Sequence, residues 1–453
     1  MTIKHLSEKL SRALHSFGSA DSGNVLITFT LALLPIMGVV GAAVDYSRAN
    51  SNKAAMQAAI DATALWLSKN AATLTAAQLN QNATNHFNAV FTRTDVTNIA
   101  VTPTYTTSGG TQLVVTGTGS VPTKFMGLMG FSSLAINVSS TVKWGNTRLR
   151  VALVLDNTGS MADSGKITAL QTATNNLLTQ LKNAVVNNGD VYVSIIPFVK
   201  DVNVDPVNYN QNWIDWTDWD SNNGTCSRHR YTTKSSCTGA GKTWTAANHN
   251  TWNGCVSDRG NSTGPNTGNY DTNVVVPNTA VTATLLPAEQ YSPCPQALMA
   301  LSYNWSRMTT LVNNMSPGGN TNQAIGLALG WMSLVGGGPF PTPPAMDPNY
   351  KYQQVIILLT DGLNTQDRWY TDQSSIDARQ KMTCDNVNAA NITLYTIQVD
   401  TGGDPTSTLL QNCAGSPGKY PDSSKFFLLT SSSAIVTTFN QIGTALSNLR
   451  VAK

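Results

Sequence analysis

Hydrophobic and polar positions change rhythm three times along the chain. Residues 25–44, VLITFTLALLPIMGVVGAAV, run for twenty positions without a charge. At about 1.5 Å rise per helical residue that stretch matches the ~30 Å hydrocarbon core of a bilayer. Between residues 46 and 69 Ala, Met, Gln and Leu predominate and neither Gly nor Pro occurs, so the apolar span is expected to continue as one long helix. A further helix is expected at 76–91, followed by alternating strand-like runs near 99–105, 112–119 and 134–144. Together these predict a small α+β module.

After Asn146 the pattern becomes that of an α/β domain. Residues 149–155 form a continuous apolar run of the kind buried on both faces of a parallel sheet, and the run ends at Asp156. The spacing then predicts a helix at 166–183 and strands at 191–199 and 355–359, the latter followed by Thr360 and Asp361. Beyond these come a helix at 375–390, a strand at 392–399, a short helix at 406–413, a strand at 426–429 and a last helix at 434–449. Alternation of this kind predicts a doubly wound, mostly parallel sheet with its site beyond the carboxyl ends of the strands, where both Asp156 and Asp361 fall. A stretch of about one hundred residues, at about 200–303, interrupts the pattern as an insertion. The expected organisation is a leader at 1–24, a transmembrane helix at 25–44, a helical stalk and small module at 45–147, and the α/β domain at 148–453.

The apolar span reads as an uncleaved anchor. Gly41 and Ala43 have the small-x-small spacing of a signal-peptide site, but the apolar core is longer than a usual signal segment and the leader is long and polar. Pro35, Gly38 and Gly41 are compatible with a membrane helix and permit close packing. Lys4, Lys9 and Arg12 precede the span and Arg48 and Lys53 follow it, a weak bias toward a cytoplasmic N-terminus. Beyond the span Ala54, Ala58, Asp61, Leu65 and Ser68 make a stripe on adjacent turns. It predicts either an internal packing face or a surface for a partner helix.

Composition narrows the setting. Only 12% of residues are charged and the formal net charge is +3, with no Lys/Arg-dense run, which argues against nucleic-acid binding. Six cysteines, Cys226, Cys237, Cys255, Cys294, Cys384 and Cys413, all follow the span. An even count in an exported chain reads as disulfides and puts everything after Val44 outside the cytoplasm. Proximity suggests Cys226 with Cys237, Cys255 with Cys294 and Cys384 with Cys413, although spacing leaves the connectivity open. The alternative is zinc bound by Cys226, His229, Cys237, His249 and Cys255, but the spacings match no common ligand set.

The loop Asp156-Asn157-Thr158-Gly159-Ser160 presents a carboxylate and two hydroxyls on alternate residues, all hard oxygens. Thr321, in the turn Pro317-Gly318-Gly319-Asn320-Thr321, adds a third hydroxyl, and Asp361 adds a second carboxylate. Mg²⁺ favours such oxygens and keeps several waters, so it is the expected ion, with Mn²⁺ or Ca²⁺ as alternatives. In this the segment from about Arg148 onward resembles a von Willebrand factor type A domain. That family's metal-ion-dependent adhesion site has an Asp-x-Ser-x-Ser loop, a later Thr and a later Asp, matching Asp156, Thr158, Ser160, Thr321 and Asp361. Thr158 stands where Ser is commoner and keeps the hydroxyl. Taken with VGAAVDYSRANSNKAAMQAAIDATAL after the anchor, the chain resembles TadG-like proteins of the Flp, or tight-adherence, pilus-assembly system. Gly23 is followed five residues later by Thr28, not by the Glu of that system's pseudopilin cleavage motif, so processing there is not expected. The resemblance implies a single-pass protein of the bacterial inner membrane with its C-terminal domain in the periplasm or outside the cell. It also implies a protein partner, a pilus component or surface receptor, that offers an acidic residue to the metal.

Enzyme readings fit less well. A haloacid-dehalogenase loop needs a second Asp where Thr158 stands, and a threonine hydroxyl cannot act as a general acid near neutral pH. Five residues separate Gly159 from Gly165 where a phosphate-binding loop needs four, and Ile167 replaces its Ser or Thr. No Ser/His/Asp device is expected either, since His229 and His249 both fall in the insertion. The chain is therefore expected to bind and not to catalyse, the alternatives being a structural tether whose cation only stabilises the domain or a metal-dependent hydrolase. In the insertion Trp213, Trp216, Trp219, Trp244 and Trp252 are expected to form a local core, with a ligand platform as the rival. Residues 218–224, DWDSNNG, resemble a calcium loop, but the Gly is one position late and His229 stands at the twelfth position. The insertion is the candidate for partner specificity.

Overall fold

The computed structural model describes residues 24–107, 111–144, 147–185, 187–260, 270–348, 350–402 and 404–451. The leader and the Gly23 position lie outside them. The chain divides into two compact units, 1–144 and 145–453.

In the N-terminal unit α1, Asn24–Ser68, is one unbroken helix that contains Pro35, and it is long and apolar enough to cross a membrane. A Thr75–Gln78 capping box starts α2, Ala76–Val90. The strands β1, Thr97–Thr106, β2, Thr111–Pro122, and β3, Ser133–Trp144, form an antiparallel sheet in that order. Period-two alternation turns Leu113, Val115 and Val121 of β2 inward against Met56, Ile60 and Leu67 of α1 and Phe87 of α2. Two glycines make room for this helix. A Cβ on Gly117 would lie 2.9 Å from Ile60 Cδ1, and one on Gly119 3.3 Å from Met56 Cε. Of the two roles expected for the small-residue stripe, the internal packing face is not seen in this unit, since Ala54, Ala58, Asp61 and Leu65 are exposed, which leaves the surface for a partner helix. The adjoining face bearing Met56, Ile60 and Leu67 takes the core instead, because it removes more apolar area from water.

The C-terminal unit is built on β4, Thr147–Asp156, β5, Val191–Phe198, β6, Val202–Asn203, β7, Cys255–Val256, β8, Met299–Ser302, β9, Lys351–Thr360, β10, Thr393–Val399, and β11, Phe426–Leu429. The strand order is β7-β6-β5-β4-β9-β10-β11, with β8 also paired to β5. Strands β5, β4, β9, β10 and β11 are parallel, whereas β6, β7 and β8 pair antiparallel. The sheet is thus mixed, because residues 200–303 add β6, β7 and β8 to one edge instead of only interrupting it.

Alternate residues of β4 serve opposite faces. Leu149, Val151, Leu153 and Leu155 meet α3, Lys166–Asn183, α4, Trp305–Asn313, and α8, Ser432–Val451. Ala152 and Val154 meet the layer of α5, Gln323–Val335, α6, Gln373–Ala389, and α7, Thr408–Cys413. Helix α5 is buried along its length, which is why its apolar residues recur on every side. From β4 the chain first steps outward to β5 and later returns to the other side at β9. The order therefore reverses at β4, and the crevice at such a reversal opens beyond the carboxyl ends of the two central strands.

Candidate functional site

Asp156 closes β4 and is fully buried. Thr158 N–H donates to its Oδ1 at 2.8 Å and the Thr360 hydroxyl to its Oδ2 at 2.6 Å. Burial first, and the Asp361 carboxylate second, push Asp156 up to about 7 against the hydrogen bonds from Thr158 and Thr360. The Thr158 and Ser160 hydroxyls are 3.1 Å apart, and Ser160 donates to Asp361 Oδ1 at 2.6 Å. Hydrogen bonds thus link the end of β4 to the residue after β9, first through the Thr158 N–H and then through the Thr158 and Ser160 hydroxyls.

The other oxygen of Asp361 accepts from Lys166 Nζ at 2.5 Å, with both side chains buried. Local backbone geometry brings the lysine there. The 3₁₀ segment Gly159–Gly165 ends in two left-handed residues, Ser164 at φ 54° and Gly165 at φ 70°, and α3 starts at Lys166. A non-glycine residue in that region costs on the order of 1 kcal/mol, so Ser164 is held by its surroundings.

Thr321 ends a turn that is bonded to the Asp156 loop through the backbone. Gly159 N–H donates to Gly319 O at 3.0 Å and Gly318 N–H to Asn157 O at 2.9 Å, and the Asn157 amide donates to Ser316 O at 2.6 Å. These bonds fasten the 316–321 turn to the Asp156 loop. Thr321 is buried; its N–H donates to Thr365 Oγ1 at 2.8 Å and its carbonyl accepts from Thr365 N–H at 2.9 Å. The sequence reading assigned no role to Thr360, Thr365 or Lys166. One signal for Lys166 was available, since a cation in the first turn of a helix opposes the helix dipole and needs a compensating anion. Among the described residues no group of three or more His, Cys, Asp or Glu side chains gathers as a metal cluster. The centre offers two carboxylates, hydroxyls and one ammonium.

The insertion flanks this rim. Tyr291 Oη accepts from Asn320 N–H at 3.1 Å, and a Cβ on Gly318 would lie 2.6 Å from Pro293 Cγ. Disulfides join Cys226 to Cys237, Cys255 to Cys294 and Cys384 to Cys413, so the zinc alternative has no thiolates to use. His249 stacks on Trp216 at 3.8 Å between centroids and bonds Asp220 at 2.8 Å. Trp219 and Trp252 are buried and edge-on to Trp216; they join the core that also holds Ala152 and Val154 of β4, so these tryptophans extend the core of the unit and do not form a separate one. The calcium-loop alternative is also corrected. Thr217–Asn222 is a short helix, with Asp218 paired to Arg368 and Asp220 to His249, so its carboxylates do not converge.

Residues 23–65 match the family model described as putative Flp pilus-assembly TadE/G-like, and the N-terminal segment is TadE/G-like. No curated protein matches the chain. Among solved structures, the pilus adhesin SpaC from Lactobacillus rhamnosus GG is 14% identical over 79% of this chain and 35% of its own, with a TM-score of 0.36. This chain therefore spans about a third of that adhesin. The vWF domain of the type V pili tip protein Mfa5 from Porphyromonas gingivalis is 8% identical over 68% of this chain and 97% of its own, with a TM-score of 0.36. Proximal thread matrix protein 1 from the mussel byssus, with a zinc-occupied MIDAS motif, is 12% identical over 67% and 46%, with a TM-score of 0.33. Superpositions this loose carry no weight for the site.

Proposed function

We propose that the chain is a membrane-anchored, extracytoplasmic component of a Flp (Tad) pilus-assembly or adhesion system. Its C-terminal unit, read as a von Willebrand factor A-like domain, docks a partner protein through one divalent cation. The TadE/G-like segment supports the pilus setting, and with it the inner membrane, and α1, the one helix among the described residues that is long and apolar enough to cross a membrane, supports a one-pass anchor. The observation that carries the binding role is the set of hydrogen bonds from Asp156 through Thr158 and Ser160 to Asp361 at the reversal of strand order.

Asp156, Thr158, Ser160, Thr321 and Asp361 would hold the ion. The donor set fits: its atoms are hard oxygens, and the two carboxylates are buried deeply enough to make a cation favourable there. Mg²⁺ suits that set, with Mn²⁺ or Ca²⁺ as alternatives. Bound among neutral hydroxyls, the ion supplies a Lewis-acidic position that a partner's Asp or Glu can fill. Tyr291 and Pro293 on the adjoining insertion contribute to partner choice. We read the role as adhesive or structural, in keeping with the pilus setting that the TadE/G-like segment supports.

Capture of the cognate pilus component or receptor by the full chain in detergent tests this. Capture should occur in Mg²⁺ and be lost in EDTA and in folded Asp156→Ala and Asp361→Ala proteins; capture undiminished by EDTA would overturn it. A second reading draws on Lys166. Its ammonium already neutralises Asp361, so the centre would tie loops together as a structural ion pair with no need of metal. Absence of Mn²⁺ binding by the full chain in a calorimetric titration would favour that reading.

A further inference from the structure

The loop between β2 and β3 of the N-terminal unit belongs with the anchor and not with the water-facing part of the molecule. Residues 125–132, FMGLMGFS, carry no charge. Phe125 is 48% exposed, Leu128 88%, Met129 57% and Phe131 59%. Four large apolar side chains left open on one short loop are costly in water and mark a surface that something apolar covers.

The loop is seated on the apolar part of α1. A Cβ on Gly41 would lie 2.4 Å from Phe125 Cβ, and one on Gly38 3.4 Å from Met129 Sδ. These two glycines therefore admit the loop of their own chain. Asp45 fixes it in place: its carboxylate is buried and accepts from the N–H groups of Lys124, Phe125 and Met126 at 2.8, 2.7 and 2.8 Å. Three charge-assisted bonds hold the turn at one height on the helix. Between loop and helix runs an apolar cleft of ≈ 590 Å³, lined by Ile36, Met37, Val40, Val44, Leu128 and Met129 among others.

We propose that this loop dips into the bilayer beside the anchor, with lipid acyl chains covering Leu128, Met129 and Phe131 and filling the cleft. The inference rests on the reading that α1 spans the membrane. The depth agrees with it. From Asp45 down to Gly38 is seven residues, about 10 Å along a helix, and interfacial segments bury about 5–10 Å into the headgroup–acyl boundary. Charge is arranged to match, since Asp45, Arg48 and Lys124 lie at or above the upper edge and the uncharged loop lies below it. Lys124 is exposed and can extend its ammonium to the headgroups. The occupant is thus lipid, a continuation of the surface that the span already presents.

The test uses the full chain in phospholipid nanodiscs with a spin label at Leu128→Cys, and separately at Val40→Cys on α1 and Ser140→Cys on β3. Collisions with oxygen and with a water-soluble nickel chelate report depth. At Leu128 oxygen collisions should exceed nickel collisions, as at Val40, and the ratio should invert at Ser140. A label at Leu128 that nickel reaches while the one at Val40 remains in lipid would overturn the loop insertion alone. Nickel access at Val40 would overturn the anchor reading itself. Exclusion of both reagents at Leu128 would mean a protein partner covers the loop, and would also overturn it. Leu128 supports no core, so its replacement leaves the fold intact.

Discussion

Lys166 Nζ lies 2.5 Å from Asp361 Oδ2, across 195 positions of sequence and with both side chains buried. The proposed metal centre thus contains its own cation. A divalent ion entering among Asp156, Ser160 and Asp361 competes with that ammonium. In Lys166→Met protein the two carboxylates lose their only positive neighbour among the site contacts. Loss of one member of a buried pair costs about 3–5 kcal/mol, so the metal-free protein should unfold earlier. Mg²⁺ or Mn²⁺ should then bind at least about tenfold more tightly, about 1.4 kcal/mol, and restore stability. Calorimetric titration and thermal unfolding with and without Mg²⁺ check both halves. Equal ion affinity in Lys166→Met and parent would show that the lysine does not compete.

A second buried carboxylate should set the pH dependence. Burial pushes Asp258 up to about 7, Arg379 pulling it down and Asp367 and Asp271 pushing it up. Its ordinary value is 3.8, so the folded protein holds this proton over a range where the unfolded chain has released it. Stability from this group is therefore fully present below about pH 4 and is lost as pH rises through about 7. Asp258 Oδ2 accepts from the Asn322 amide at 2.8 Å, a bond that an Asn oxygen can keep. Asp258→Asn should flatten the fall in urea midpoint between pH 4 and 7 and be at least as stable as the parent at pH 8. An unchanged slope would assign the dependence to other groups.

What the sequence made legible follows from how each element is stabilised. The run at 149–155 and the amphipathic helix from Lys166 carry their own burial pattern, and both appear where the spacing predicts them. Strands β6 and β7 have two residues each. That is too short for any periodicity, and they exist only because Phe198 and Asn203 find partners in tertiary space. Which face of α1 packs within its own unit was not readable, because small residues recur on one stripe while Met56 and Ile60 occupy another. Sequence alone could not tell that Gly117 and Gly119 open the sheet to the larger side chains. For the site, the oxygen-bearing loop was readable as local chemistry. The lysine pairing was not, because it depends on the backbone reversal at Ser164 and Gly165.

The bridge between α6 and α7 should matter to stability. Cys384 and Cys413 are 29 residues apart and both buried. Closing a loop of that size restricts the unfolded chain by about 3–4 kcal/mol. A Cys384→Ala/Cys413→Ala double variant should lose about that much in urea unfolding under oxidising conditions. A loss below about 1 kcal/mol would mean that packing of the two helices holds without the bridge.

Close packing behind the site gives the last prediction. A Cβ on Gly330 of α5 would lie 2.4 Å from Val154 Cγ2, and one on Gly326 2.7 Å from Phe198 Cγ. These glycines, one helical turn apart, let α5 press against β4 and β5. Val154 has few ways to retreat, because a β-branched side chain is stiff at χ1 and its strand is hydrogen-bonded on both edges. Gly330→Val should therefore force α5 outward at about 1–3 kcal/mol. Because Val154 is two residues from Asp156, and Thr321 lies just before α5 begins, the same shift should separate the two sides of the oxygen set. The variant should thus lose ion affinity as well as stability. Gly338→Ala, in a loop where a Cβ meets nothing nearer than 3.4 Å but φ is 56°, should lose stability by about 1 kcal/mol and leave ion affinity unchanged. Equal loss of ion affinity in both variants would mean that general destabilisation, and not displacement of α5, is responsible.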